Sequence, residues 1–412
     1  MQKASNNFDI IIGGGGIAGL TLAVALKSAL GRGVKVLVCD PGLEKPDANI
    51  WRATAIAAGP RQMLETLGVW QGLEDVQPIT RMVCTDSRVA DPVRPVFLQF
   101  EPPKPGQFFA HMVFNAQLRD ALKLRALELD VKLRAQSIPD FTTGTDAVQV
   151  KLNDETELTT RLLIAADGAG SKLRDKARIA INRHDYDQAG IVATIAHERP
   201  HEGVAEEHFL PDGPFAILPL TQNRSSQNRS SIVWSDKKSN VANLLALDAE
   251  DFLAELTRRF SLRFGDFKVL DRPQSFPLRM QYARHYVAER FALLGDAAHV
   301  IHPIAGQGLN LGLKDVAVLA EIIIAQMRLG LDPGAAAGLK AYERARRFDA
   351  LSMGAAADMM YRLFSNDILP VRLIRDLGLG LVDRAPPLKN LLVREASGLL
   401  GAVPALLRGD RL

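Results

Sequence analysis

FDIIIGGGGIAGLTLAVALKSALGRGVKVLVCD, residues 8–40, decides how this chain is read. A short apolar run, Phe8–Ile12, meets a glycine-rich turn at Gly13–Gly19, and Ile17–Leu30 follows as an apolar segment of helix length. Val34–Cys39 then reads as a second strand ending in Asp40. That acid lies about 20 residues past the last glycine, the spacing of a strand–GxGxxG–helix–strand–acid unit. In such a unit Gly14 permits the tight turn, Gly16 lets the backbone approach a pyrophosphate, and Gly19 lets helix and strand pack closely. The N–H groups and dipole at the helix start attract phosphates. Asp40 can accept hydrogen bonds from ribose hydroxyls and would repel a 2′-phosphate. The unit predicts a site for the ADP half of a dinucleotide.

Outward from that stretch, length and composition set bounds. A chain of 412 residues has room for two or three domains. An apolar content of 47% with 24% charged residues describes an ordinary globular chain. The net charge of +3 gives no sign of a nucleic-acid binder. Cys39 and Cys84 are the only cysteines, which argues for a reducing compartment and against a disulfide scaffold or a cysteine-built zinc site. No metal site is expected. The first strand begins almost at the N-terminus, leaving no room for a cleaved signal, and no run of about 18 apolar residues suggests a membrane span. The expectation is a cytoplasmic chain.

Further along, Arg52–Trp70 has helical spacing, with Arg52 at its mouth, and 78–110 reads as short strands broken by prolines. Asn115–Leu129 reads as a helix, and Val131–Arg134, Ala147–Leu152 and Glu157–Ile164 as strands, the last running into Ala165-Ala166-Asp167-Gly168. Residues 186–284 carry short β-like runs, a tandem QNRSS repeat at 222–231 read as a loop, and a helix at Asp251–Phe264. Arg290–Leu294 reads as a strand feeding Gly295-Asp296 and a glycine-punctuated stretch to Asp315, with helix over 316–362. The end mixes leucine, glycine, proline and arginine.

Three glycine–aspartate signals thus recur. In Asp167-Gly168-Ala169-Gly170-Ser171-Lys172-Leu173-Arg174, a strand-end carboxylate followed by a turn and a basic residue suits contacts to cofactor hydroxyls and phosphates. In Gly295-Asp296 the carboxylate could hold a polyol, and Gly306-Gln307-Gly308-Leu309-Asn310 ahead of a new helix could offer backbone N–H groups to an anionic ring edge.

With GGGGIAGL at 13–20, AADGAGSKLR at 165–174 and LLGDAAHVIHPIAGQGLNLGLKD at 293–315, the chain resembles the single-component FAD-dependent aromatic monooxygenases. More narrowly it resembles the ubiquinone-biosynthesis ring hydroxylases, a likeness that extends over essentially the whole chain. The resemblance implies an α/β fold of the p-hydroxybenzoate hydroxylase type. A Rossmann-like FAD-binding domain is assembled from 1–80, 111–185 and 285–350. A β-sheet substrate domain is built from 81–110 and 186–284, and a helical C-terminal region spans 351–412. It implies that Gly14, Gly16 and Gly19 bind the FAD pyrophosphate and Asp40 the ribose. Arg52 then approaches across the cleft, Gly295 and Asp296 hold the ribityl chain, and Asp167 and Gly168 touch FAD. Asn115 falls where the family contacts the flavin chain. Pro303 through Asn310, including Gly306, Gln307, Gly308 and Leu309, lie against the ring system. His302 beside Pro303 is the residue to test for positioning or proton handling, with a structural hydrogen-bonded histidine as its rival reading. Two departures stand out. Gly13 replaces a common valine and should loosen the strand's end, and His208 replaces a frequent arginine.

The implied activity is hydroxylation of the ring of a polyprenylated phenol or quinol through a flavin C4a-hydroperoxide. O2 is the oxidant, and NAD(P)H or a ferredoxin is the electron donor. Other quinone-biosynthesis enzymes are expected partners, and an apolar C-terminal surface offers peripheral contact with the inner membrane. The alternatives are a hydroxylase of a soluble phenol and a non-catalytic FAD-binding subunit of a quinone-biosynthesis complex.

Overall fold

The computed structural model describes residues 6–46, 51–86, 89, 96–102, 108–223, 226–260, 262–301, 306–364 and 403–412. His302, Pro303 and most of the C-terminal region therefore lie outside the described residues. Three sheets organise the rest.

The first sheet is mostly parallel and grows from β1 (Asn7–Gly13). Beside it run β2 (Val36–Cys39) and β8 (Lys132–Arg134) on one side, and β11 (Glu157–Ala165) and β19 (Phe291–Leu293) on the other. Antiparallel strands β9 (Asp140–Thr143), β10 (Val148–Lys151) and β18 (Val287–Ala288) extend the margins. Ile10, Ile11 and Ile12 are fully buried, as are Leu162, Leu163 and Ile164 opposite them. Such unbroken apolar runs are what a parallel strand covered on both faces requires. Helices α1 (Ile17–Leu30), α3 (Asn115–Glu128) and α7 (Gly308–Arg328) provide part of that cover.

Two glycines make the first turn possible. Gly14 has φ +124°, and a Cβ there would stand 2.2 Å from the Ala166 carbonyl oxygen; at Gly19 it would stand 2.1 Å from the Gly14 carbonyl oxygen. Gly13 does not loosen the strand. The Leu173 side chain fills the space that a valine would take, with Cδ1 2.4 Å from the ideal Cβ position.

The second sheet is antiparallel apart from one pair. It is built from β5 (Arg81–Asp86), β6 (Val96–Phe100), β12 (Ile181–His197), β13 (Val204–Leu210), β14 (Gly213–Leu220), β15 (Asn228–Lys237), β16 (Phe267–Val269), β17 (Gln274–Ala283) and β20 (His299–Val300). Alternate residues Ile191, Phe215, Ile217, Ile232 and Trp234 form one face, packed under α5 (Lys238–Ala246) and α6 (Ala249–Thr257). A third sheet, β3 (Ala53–Ala57), β7 (Ala110–Phe114) and β4 (Val76–Ile79), sits between the other two through Met112, Ile79 and Ala205.

Several expectations need correcting. The segment from Arg52 begins as β3, held in an antiparallel ladder by β7, and the helix α2 (Ala58–Thr66) starts only after it. The helix expected from 316 starts at Gly308, and its Gly312 passes close to Gly295. It breaks at Gly330 (φ +73°), and α8 (Ala336–Phe364) follows, so the expected boundary at 351 falls inside a helix. The helix expected over Asp251–Phe264 ends at Thr257, and strand β17 and helix α5 were not foreseen. The second QNRSS copy enters β15 instead of staying in the loop. At the end of the chain, Leu406 and Leu407 are buried, and Thr66 of α2 donates to the Gly409 carbonyl at 3.2 Å.

Gly19→Ala forces the α1 backbone away from the turn. It should lower the urea unfolding free energy by about 1–3 kcal/mol, the usual cost of overpacking; an unchanged midpoint would mean that the turn is looser than this contact implies.

Candidate functional site

The order β19-β11-β1-β2 places four chain-distant turns side by side at the carboxyl ends of parallel strands. This is where open α/β sheets bind their ligands. After β1 comes Gly14–Gly19; after β2, Asp40; after β11, Asp167-Gly168; after β19, Gly295-Asp296. Backbone bonds lock these turns together. Ala166 N donates to Gly13 O at 2.7 Å, Gly14 N to Cys39 O at 2.8 Å, and Leu294 N to Ala165 O at 2.9 Å.

The Asp40 carboxylate accepts from Gly15 N at 2.7 Å and Gly42 N at 2.6 Å, one bond on each oxygen. Each oxygen keeps a second lone pair for a ligand hydroxyl. The Asp167 carboxylate takes bonds from the Ser171 hydroxyl at 2.5 Å and Leu173 N at 3.2 Å, so it stiffens its own turn and the start of α4 (Lys172–Lys176). Arg174 was expected to suit phosphates. It is instead buried and donates to the carbonyls of Ala169 (3.2 Å) and Ala297 (3.1 Å), joining the second and third turns.

Both helices that enter the site lack a side-chain cap. The first intrahelical bond of α1 is Leu20 N to Gly16 O, and that of α7 is Leu311 N to Gln307 O. The N–H groups of 17–19 and 308–310 therefore have no intrahelical acceptor, and each helix presents its positive end there. At Gly16, Gly168, Gly306 and Gly308 no atom lies within 4 Å of where a Cβ would stand. Donors for anionic groups, carboxylates for a polyol and this open lining fit a flavin dinucleotide.

Residues 7–353 match the FAD binding domain family. The chain belongs to that family. It is 44% identical to the ubiquinone hydroxylase UbiL of Rhodospirillum rubrum, over 97% of this chain and 92% of the relative. It is 32% identical to the 3-demethoxyubiquinol 3-hydroxylase of Escherichia coli, over 95% of this chain and 98% of the relative. The p-nitrophenol 4-monooxygenase PnpA of Pseudomonas putida has the same fold, with TM-score 0.77 at 16% identity over 96% of this chain and 99% of that one.

Within this FAD-binding fold the remaining expected residues fall into two groups. Arg52 is exposed, with its guanidinium 5.2 Å from the Phe276 ring centroid of β17. Asp296 is also exposed, yet crowding by surrounding protein raises its carboxyl above the ordinary value, against the pull of His299 and Arg52. These two side chains are available to a ligand. Asn115 and Asn310 are each bonded to β3. Asn115 Oδ1 accepts from the Thr54 hydroxyl at 2.7 Å, while Asn310 accepts from Ala57 N and donates to Ala55 O, both at 2.9 Å. The Asn310 side chain therefore pins the α7 start to β3, leaving its backbone N–H toward the site. His208 points to the α-helical side of the second sheet, bonded to the Thr85 hydroxyl at 2.7 Å, so it is not a substrate contact.

Sequence reading missed the node beneath Asp296. Asp315 is fully buried; its carboxylate meets His299 Nε2 at 2.6 Å, Gly295 N at 3.2 Å and Arg346 Nε at 2.6 Å. Arg346 also bonds Asp349, which pairs with Lys314 at 2.6 Å. His299 lies in β20 opposite Tyr282. The available signal was a charge on the apolar stripe of each helix: Asp315 between Leu311 and Leu319, and Arg346 between Tyr342 and Ala350.

Burial alone would raise the Asp315 carboxyl, but His299 and Arg346 outweigh it and hold it below its ordinary value. A carboxyl depressed in the folded state contributes stability above its unfolded pKa of about 3.9, and that contribution is lost as pH falls through the folded value. Asp315→Asn leaves a buried arginine poorly matched and should cost about 3–5 kcal/mol at pH 7. Paired thermal melts should show that the gap to wild type narrows below about pH 4. A constant gap across pH would rule out the charge as its source.

Proposed function

We propose that this chain is an FAD-dependent monooxygenase that hydroxylates the ring of a polyprenylated phenol or quinol in ubiquinone biosynthesis. The observation that carries it is the convergence of the four strand-end turns and the α7 start, with Arg52 reaching from there to Phe276 of the second sheet. The family match and the hydroxylase relatives support the reaction class. When bound, FAD supplies the activation of O2 and its transfer to the ring.

The protein's part is binding, orientation and exclusion of water. The α1 start and its glycines hold the pyrophosphate, Asp40 the ribose and Asp296 the ribityl hydroxyls. The N–H groups at 308–310 face the anionic edge of the ring system and stabilise charge there by roughly 0.3–1 kcal/mol or more when buried. Arg52 bridges from β3 toward Phe276 and narrows the cleft between the flavin side and the sheet. Pro303 and His302 belong to the same proposed stretch, outside the described residues.

No described helix is long and apolar enough to cross a membrane. A prenyl tail needs an apolar approach, and α8 offers one. Phe348, Leu351 and Met359 are exposed at 77%, 43% and 66%. Helical spacing puts all three on one side, opposite the buried Tyr342, Arg346 and Ala350. Peripheral contact through this stripe follows. Phe348→Glu with Met359→Glu should reduce flotation of the protein with phospholipid vesicles, and equal flotation would remove α8 from the contact.

Deleting the gene in its host and analysing quinone precursors by mass spectrometry tests the reaction directly. The expected result is a prenylated intermediate lacking one ring oxygen, restored by the wild-type gene but not by Asp296→Ala. That variant should bind FAD at least about tenfold more weakly in a flavin fluorescence titration, the loss of one good hydrogen bond. Normal quinone with no such intermediate would overturn the reading.

A further inference from the structure

Glu206 and Glu207 are adjacent on β13 and meet opposite fates. Strand alternation turns Glu206 to the helix-covered face. There it is buried and pairs with Arg263 at 2.5 Å and His208 at 3.3 Å. Glu207 turns to the other face, where its directly opposed neighbours are Cys84 on β5 and Ala216 on β14, followed by Val233 and Val192. The neighbours of Glu207 in this row are apolar, and the row ends at Gln274 on β17.

Two observations show what that face looks onto. Ala205, two residues before Glu207 and on the same side, packs with Ile79 and Met112 of the third sheet. Asn310 fastens that third sheet to the α7 start. Phe276, opposite Gly190, belongs to the same face and carries the Arg52 guanidinium, whose charge also reaches Asp296. Glu207 therefore stands on the wall of the cleft that faces the flavin site.

Among the described residues, Glu207 has no hydrogen-bond or ion-pair partner. The titratable groups beside it on β5 are Cys84, directly opposite, and Asp86 farther along. None compensates it: Glu207 is half-buried, and its removal from water pushes its carboxyl up to about 8. The register sets the Cys84 thiol beside it, pushed up to about 12 first by burial and then by the Glu207 charge. An acid left unpaired on an apolar wall costs stability, and such costs concentrate at functional sites.

We propose that Glu207 contacts the substrate, its carboxylate accepting the hydrogen bond of a ring hydroxyl while the apolar wall receives the ring. This deepens the hydroxylase reading and rests on it. The chemical class recognised is a ring that carries a free hydroxyl, a phenol or quinol, in preference to its O-methyl ether. A hydroxyl hydrogen-bonded to a carboxylate is also more electron-donating to its ring, which favours attack on electrophilic oxygen.

The test uses the full-length FAD-loaded protein, with 2-geranylphenol and its O-methyl ether as probes, followed by the change in oxidised-flavin absorbance. Wild type should bind the phenol at least about tenfold more tightly than the ether at pH 8.5, one charge-assisted hydrogen bond. The ratio should shrink toward pH 6.5 as Glu207 protonates. Glu207→Leu should abolish the preference at every pH with unchanged FAD affinity, and its melting temperature at pH 8.5 should rise, the reverse of losing a structural residue. If that variant does not retain FAD, Glu207→Gln replaces it, and it should bind the phenol with no pH dependence. A variant that keeps both the preference and its pH profile overturns the assignment while leaving the hydroxylase reading intact. Wild type that binds neither probe overturns both.

Discussion

A buried carboxylate, Asp315, holds the catalytic half of this molecule in place. Charges removed from water are tolerated only when they are paired and hydrogen-bonded, and Asp315 meets that condition with a histidine, an arginine and a backbone N–H from three separate segments. The N–H belongs to Gly295, next to Asp296, and Asp315 itself lies two turns into α7, whose first turn lines the site. Arg346 brings in α8, and Tyr342 on the same helix donates to the Leu293 carbonyl at 2.8 Å, at the end of the strand that delivers Gly295. The positions of Asp296 and of the α7 start are thus set by one set of mutually dependent bonds.

The site above it is a product of strand order. Residues around 14, 40, 167 and 295 meet because parallel strands stand side by side in the order β19-β11-β1-β2. Parallel pairing needs long connections, and the connections here hold the second and third sheets. The substrate wall is therefore carried on excursions from the very strands whose ends bind the dinucleotide, and Arg52 and Asn310 tie it back across the opening.

The second sheet divides its labour between two faces. One is covered by α5 and α6 and carries the aromatic core around Phe215 and Trp234, with Glu206 paired to Arg263 at its margin. The other mixes apolar residues with Thr194, Ser231 and Ser235, is partly closed by the third sheet, and bears the unpaired Glu207. A two-residue period makes such a division possible, and a one-residue shift in register would exchange the faces.

The nucleotide half is legible in short sequence patterns. Glycine spacing, the buried isoleucine run and the strand-end acids encode local geometry, because a tight turn and a close helix approach demand glycine wherever they occur. Gly14, Gly19, Asp40 and Gly295-Asp296 were legible for that reason. Only the tertiary structure decided which polar side chains are spent on the protein itself. Arg174 reads as a phosphate contact in sequence, yet its guanidinium is bonded to carbonyls of this chain, and the Asn310 side chain is bonded to β3. The Asp315 node and the opposite fates of Glu206 and Glu207 were likewise invisible, since pairing across 31 residues or a choice of sheet face depends on register and packing. Local conformation is written in short patterns, whereas the availability of a side chain depends on what the rest of the chain places beside it.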